Sequence, residues 1–273
     1  MILFPNAKIN LGLDIIEKRP DGYHNIETVM YPVPWRDILE IVPAKGDETT
    51  LTVSGRAVDC PPEKNLVMKA YRALAERIPL PPVDIYLRKI IPDGAGLGGG
   101  SADAAFTLRG LNDLFALDLP DDELAAIASR LGADCPFFIY NHPMLCTGIG
   151  TEFTPVGINL EGYSIVIVKP AVSVPTAQAY SRVTPALPAC RLIDLLAETP
   201  ERWKGCVKND FEASVFPLYP AVAEIKEHLD SMGAVYTSMS GSGSSVYGLF
   251  KSDILSDGLT ETFEGCDVFS SRL

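Results

Sequence analysis

Along residues 8–15 apolar and polar side chains alternate without a break. Ile9, Leu11, Leu13 and Ile15 face one way; Lys8, Asn10, Gly12 and Asp14 face the other. Period two predicts a strand buried on one side only. Solvent is the ordinary neighbour of the other side, but Lys8 and Asn10, two apart, also suit a cleft wall. β-Branched runs predict further strands at 26–31, 38–42, 50–53, 83–91 and 163–168. Helical spacing appears at 65–78, where Leu66, Ala70, Leu74 or Ala73, and Ile78 share a face. It recurs at 101–115 through Ala104, Ala105, Leu108, Leu111 and Phe115, and at 120–131, where Asp121, Asp122 and Glu123 suit a first turn. Shorter helical stretches follow at 176–183, 192–197, 209–216 and 221–231. Strands and helices mix without regular β–α alternation, and the pattern shifts near Thr154-Pro155-Val156-Gly157. That shift predicts two domains, 1–155 and 156–273.

Between the strand at 83–91 and the helix at 101–115 lies Pro92-Asp93-Gly94-Ala95-Gly96-Leu97-Gly98-Gly99-Gly100-Ser101, with five glycines in seven positions. Such a cluster serves either as a flexible turn or as an anion cradle. Backbone without Cβ atoms approaches a ligand closely, and the first N–H groups of a helix bind anions. A Cβ on Gly98 or Gly99 is expected to block a phosphate. Ser101 is placed to cap the helix or to offer its hydroxyl to a phosphate or metal. The P-loop pattern GxxxxGK[ST] is absent, since no Gly-Lys pair occurs. GxGxxG fits formally at Gly94, Gly96 and Gly99, but the next element reads as a helix, where a dinucleotide fold needs a second strand. The HRD and DFG motifs of protein kinases are also missing.

Three other stretches carry candidate chemistry. Arg19-Pro20-Asp21-Gly22 is a turn by composition, and Tyr23-His24 follows it. In Gly132-Ala133-Asp134-Cys135-Pro136, Asp134 sits in small apolar company, where an acid either caps a neighbouring backbone or does chemistry. Ser240-Gly241-Ser242-Gly243-Ser244-Ser245 reads either as a tight hairpin or as a second set of donors facing the first glycine loop.

Composition narrows the class. The chain has 273 residues, 47% of them apolar and 21% charged, which suits an ordered globular protein. Its net charge of −12 argues against nonspecific nucleic-acid binding. Six scattered cysteines without a CxxC pair, and three histidines, do not suit a structural zinc site and read as reduced thiols in the cytoplasm. No apolar run approaches the ~20 residues of a membrane helix, and the start lacks the pattern of a signal peptide.

The segment PDGAGLGGGSADAA closely resembles the P-x-G-x-G-L-G-x-S-S-A loop of the small-molecule kinases named for galactose, homoserine, mevalonate and phosphomevalonate, the GHMP family. Ala7-Lys8-Ile9-Asn10-Leu11, the Asp21-Gly22-Tyr23-His24 turn, Gly132-Ala133-Asp134-x-Pro136-Phe137-Phe138 and Asn209-Asp210-Phe211-Glu212 narrow the resemblance to one branch, which is similar to this chain over nearly its whole length. Sugar, homoserine and mevalonate kinases are not expected to carry the DGYH turn. Departures are Cys135 for the usual Val, Ala102 for Ser, Thr151 for Glu, and Phe4-Pro5-Asn6 for Pro-Ala-Pro.

The resemblance implies a two-domain α+β GHMP kinase fold with its active-site cleft between the domains. It implies ATP as co-substrate, with Mg²⁺ whose ligands are left unassigned. It implies a small-molecule acceptor, a cytidine diphosphate bearing methylerythritol, phosphorylated on its 2-hydroxyl in non-mevalonate isoprenoid synthesis. The alternative is another small-molecule kinase of the family. By the same resemblance, Asn65 and Leu66 border the adenosine, and Pro92, Asp93, Gly94, Ala95, Gly96, Leu97, Gly98, Gly99, Gly100, Ser101 and Ala102 hold the phosphates. Tyr23 stacks on cytosine, His24 reads its edge, Asn10 orients the alcohol, Asp134 accepts its proton and Lys8 supports Asp134.

Overall fold

A computed structural model describes residues 1–58, 60–254 and 258–273. They form two compact units that interleave along the chain. Met1–Lys8, Trp35–Asp93 and Gly98–His142 make the first; Ile9–Pro34, Gly94–Leu97 and Pro143–Leu273 make the second. The expected boundary near residue 155 follows composition. The chain changes unit elsewhere: inside the long strands Asn6–Lys18 and His24–Arg36, at both ends of Gly94–Leu97, and at His142.

In the first unit a sheet runs in the order Ile2–Leu3, Ile38–Pro43, Val83–Lys89, Thr50–Gly55. The last pair is parallel and the other two are antiparallel. Val83–Lys89 shows why it lies there: Val83, Ile85 and Leu87 point into the core, and Asp84, Tyr86 and Arg88 point away. Lys89 shares the inward parity and is buried with them. The helices Leu66–Ala75, Gly99–Leu114, Asp121–Ala128 and Cys135–Tyr140 pack in this unit. The glycine-loop helix begins two residues before Ser101, because Gly98 takes the capping position at φ 71°. Ser101 therefore lies inside the first turn and is not the cap.

The second unit holds two sheets. One pairs Tyr236–Met239, Val246–Phe250, Ser164–Lys169 and Asp267–Arg272, all antiparallel. Val166, Val168, Val246 and Phe250 from it meet Val215, Val222, Ile225 and Leu229 from the helices Glu212–Leu218 and Pro220–Ser231 in one core. The other carries the 9–34 parts of the two long strands, followed by Met144–Thr147 and Glu152–Pro155. The strand expected to be open on one face is buried on both: Lys8, Asn10 and Asp14 are as enclosed as their apolar neighbours. Alternation shows which residues share a face; whether that face is covered depends on distant segments. Burial, with Asp210 adding its charge, pushes the Asp14 carboxyl up to about 6.

Asn209 ties this unit together. Its amide donates to the carbonyls of Met239 and Gly241, both at 2.8 Å, and its oxygen accepts from Phe211 N at 3.0 Å. Asn209→Ala removes all three bonds; the Met239 carbonyl keeps the Ser238 hydroxyl at 3.3 Å, while the Gly241 carbonyl and the Phe211 N–H lose the partner described here. The substitution should destabilise the protein by roughly 3 kcal/mol, read as a lower denaturation midpoint in urea. An unchanged midpoint would mean that water replaces all three bonds.

Candidate active site

In the first unit, Asp134 opens the six-residue helix Cys135–Tyr140, but its side chain makes no capping bond. Its carboxylate lies 3.5 Å from Lys8 Nζ instead, with the Lys8 side chain 4% exposed and that of Asp134 33%. Of the two roles open to an acid at this position, the structure disfavours the cap. A buried ammonium needs a counter-charge, and Asp134 supplies one while keeping an oxygen within reach of solvent. Cys135, in the usual place of Val, is sealed in the core; burial pushes its thiol up to about 11, although the Ser101 hydroxyl bonds to it.

Asn65 is a helix cap, accepting from Val67 N at 3.0 Å. Together with Leu66, Lys64, Lys89, Asp93, Gly100 and Asp103 it lines a cleft of about 150 Å³. Ala102 is fully buried, and Pro92 is buried just ahead of Asp93.

The glycines divide by what surrounds them. A Cβ on Gly98 would lie 2.8 Å from the Phe138 ring, and one on Gly99 would lie 3.0 Å from Ile91. Both would point into protein, so these two glycines let the helix pack. The expectation that a Cβ on either would simply block a phosphate is corrected to this extent. Gly100 is the open position, its nearest neighbour being Leu66 at 3.7 Å.

Gly94, Ala95, Gly96 and Leu97 belong to the second unit. A Cβ on Gly96 would fall 2.0 Å from the Ser240 carbonyl. Ser240 Oγ donates to the Gly96 carbonyl at 2.9 Å, and Ser245 N to that of Ala95 at 3.2 Å. The serine-glycine stretch thus joins two antiparallel strands as a hairpin and also braces the first loop.

Also in this unit, Tyr23 is 62% exposed on its turn, with its N–H held by Asp21 at 3.0 Å. That bond, ahead of Arg19, draws the Asp21 carboxyl below its ordinary value. The His24 ring stacks on Tyr180, centroids 4.6 Å apart, and Tyr180 meets Phe211 edge-on. Burial, then the charge of Lys18, lowers the His24 pKa, so the imidazole is neutral at pH 7 and offers one donor and one acceptor. Asn10 donates to Thr28 Oγ1 at 3.0 Å, and Thr28 donates to the Gly12 carbonyl at 2.5 Å.

The predicted residues fall on both units: Lys8, Asn65, Leu66, Pro92, Asp93, Gly98, Gly99, Gly100, Ser101, Ala102 and Asp134 on the first, Asn10, Tyr23, His24 and Gly94–Leu97 on the second. Sequence reading missed Tyr180 and a buried Asp37–Lys89–Asp103 cluster. For Lys89 a signal was present, since it continues the inward parity of Val83, Ile85 and Leu87.

Residues 65–142 match the GHMP kinases N terminal domain, and residues 190–263 match the GHMP kinases C terminal domain. The chain is 57% identical to the 4-diphosphocytidyl-2-C-methyl-D-erythritol kinase of Parabacteroides distasonis, over 92% of each protein. A crystal structure of a 4-(cytidine 5'-diphospho)-2C-methyl-D-erythritol kinase superposes with a TM-score of 0.80 at 30% identity, covering 99% of this chain and 98% of that one. A homoserine kinase from Cytophaga hutchinsonii shares the fold, with a TM-score of 0.71 at 19% identity, covering 98% of this chain and 94% of that one.

The glycine geometry separates two substitutions. Gly98→Ala forces a side chain onto φ 71° and against Phe138, and should cost about 1–2 kcal/mol of stability. Gly100→Val fills the cleft shared with Asn65 and Leu66; it should fold within about 1 kcal/mol of the parent yet weaken ATP binding about tenfold or more. Thermal melts and calorimetry check both. Unchanged ATP affinity in Gly100→Val would remove the cleft from the nucleotide site.

Proposed function

The chain belongs to the GHMP kinases, among the 4-diphosphocytidyl-2-C-methyl-D-erythritol kinases, and from that membership we propose how its residues move a phosphoryl group from ATP to the 2-hydroxyl of 4-diphosphocytidyl-2-C-methyl-D-erythritol. It is a phosphotransferase with an alcohol acceptor. The observation that carries the assignment of roles is the Lys8–Asp134 pair, whose carboxylate is not engaged as a helix cap.

Phosphoryl transfer asks a protein for position and charge more than for covalent chemistry. Residues 92–101 present bare backbone and the N-terminus of the Gly99–Leu114 helix to the triphosphate. Asn65 and Leu66 border the adenosine from the cleft beside Gly100. A sugar-like alcohol holds its proton far above neutral pH, so it needs an acceptor as the O–P bond forms. Asp134 takes that proton, and Lys8 holds the carboxylate in place and offsets charge on the moving phosphoryl group. Asn10, steadied by Thr28, orients the alcohol.

Mg²⁺ bound with ATP needs only one or two protein oxygens. Among the described residues no group of three or more Asp, Glu, His or Cys side chains could hold a metal ion by itself. Ser101, in the first helical turn, is the residue that would reach it, and the ion would neutralise β- and γ-phosphate charge.

The exposed Tyr23 ring is a platform for cytosine. His24, held neutral and fixed by Tyr180, meets the donor–acceptor edge of that base. The Asp21-Gly22-Tyr23-His24 turn favours this acceptor over those of other small-molecule kinases of the family. No described helix is long and apolar enough to cross a membrane, and no disulfide joins the described cysteines; both accord with work in the cytoplasm.

Asp134→Asn keeps the shape and removes the base. Turnover should fall about 10²–10⁴-fold while both ligands still bind. Lys8→Met should also slow turnover, and the double variant should be little worse than the poorer single one, because the pair acts as a unit. Steady-state kinetics with calorimetry decides; an Asp134→Asn enzyme within about three-fold of wild type would exclude a general base there. Tyr23→Ala should raise KM for the cytidylated acceptor about tenfold, the yield of one aromatic–base stack, and leave KM for ATP unchanged. Equal use of uridine- and cytidine-bearing acceptors by the wild type would remove His24 as a reader of the base.

A further inference from the structure

The first unit buries three charges to which the chemistry above gives no role; two of them, Lys89 and Asp103, stand at the wall of the cleft beside Gly100. Lys89 Nζ lies 2.5 Å from Asp37 Oδ2 and 2.7 Å from Asp103 Oδ2, and none of the three side chains is more than 4% exposed. The second oxygen of Asp37 accepts from the backbone N–H of Ile90 at 2.5 Å and of Ile91 at 2.9 Å. Asp103 Oδ1 is buried without a hydrogen-bond partner, so its carboxylate leans on Lys89.

Stability alone is a poor reason for such a cluster. Taking charges out of water is expensive, and apolar side chains of similar volume commonly replace a buried ion pair without loss. Position is a better reason. Lys89 ends the strand that leads into the loop, and Ile90 and Ile91 are the next two residues. Asp103 lies just over a turn into the helix that leaves the loop. One ammonium therefore ties the departing chain to the returning chain, and Asp37 fixes the backbone just before Pro92. A glycine-rich segment loses more freedom on ordering than any other, and pinning both ends shortens the part that remains free.

We infer that Asp37, Lys89 and Asp103 are positioning residues for the phosphate loop, acting through both of its ends. The inference rests on the reading of that loop as the ATP cradle. Burial, and after it the nearby Asp37 charge working against Lys89, raise the Asp103 carboxyl to about 7. The clamp thus relies on the ammonium bridging two carboxyl groups more than on a full second negative charge.

The test is the double variant Lys89→Met/Asp103→Asn, which removes the bridge while halving the number of buried carboxylates left behind. ATP affinity by calorimetry and both KM values are measured beside a thermal melt. The expected result is a folded protein with Kd and KM for ATP raised about tenfold or more, the effect of a slight misplacement of a binding element. KM for 4-diphosphocytidyl-2-C-methyl-D-erythritol should stay within about twofold. ATP affinity within twofold of wild type would show that the cluster serves the fold alone and would overturn the inference. Equal loss of affinity for both ligands would overturn it as well, since that marks general damage. If the double variant does not fold, Asp103→Asn decides by the same two affinities: selective loss for ATP of about threefold or more supports the clamp, and an unchanged value overturns it. A wild-type protein that does not bind ATP would instead remove the reading of the loop, and this inference with it.

Discussion

A glycine-rich backbone has few side chains of its own to hold it in shape. The buried side chains of Ala95 and Leu97 anchor part of the Gly94–Gly100 segment; the rest of what holds it comes from elsewhere in the chain, within each unit. In the first, the Phe138 ring and the stem of Lys8 fill the space a Cβ on Gly98 would occupy. In the second, Ser240 and Ser245 hold the carbonyls of Gly96 and Ala95. Glycine appears at 96 and 98 because packing partners come too close for any other residue, and the φ angles there, 73° and 71°, are ones other residues resist. The loop is open at Gly100 and crowded at Gly96 and Gly98.

Charge is handled on the same local scale. The chain carries −12 overall, which repels a triphosphate at long range. Screening limits that repulsion to about 10 Å at moderate salt. On the proposed reading, a phosphate meets helix N–H groups at contact distance and, near Asp134, the buried Lys8 ammonium. Buried cations in the first unit are paired with carboxylates, Lys8 with Asp134 and Lys89 with Asp37 and Asp103. The difference lies in exposure: Asp134 retains an open side, whereas Asp37 and Asp103 do not.

Much of this was legible in the sequence, because strand parity and helix spacing are local properties. The β-branched run of 83–91 and the spacing of 101–115 led to elements within two residues of their observed limits. The glycine loop, the DGYH turn and Asp134 were legible because their residue types are unusual where they stand. What sequence could not supply was distance. Asp37 and Lys89 are 52 residues apart, and Ser240 reaches back 144 residues to Gly96. Nothing in the 8–15 pattern said that its polar face would be covered too. The interleaving of the two units is likewise a matter of distance, since composition marks where a chain changes character and contacts decide which parts belong together.

The covered face of that first long strand carries one more consequence. Asp14 is enclosed, and its carboxyl stands at about 6 against an ordinary value of 3.8. Between those values the folded chain holds a proton that the unfolded chain releases. Unfolding near pH 5 is therefore coupled to proton loss at this residue, and its contribution to stability is largest below about pH 4 and fades as the pH rises through 6. Most paired surface acids push the other way and resist the loss of their charge. Asp14 thus makes the native state a proton store, with mild acid tightening the fold at the strand that bears Asn10.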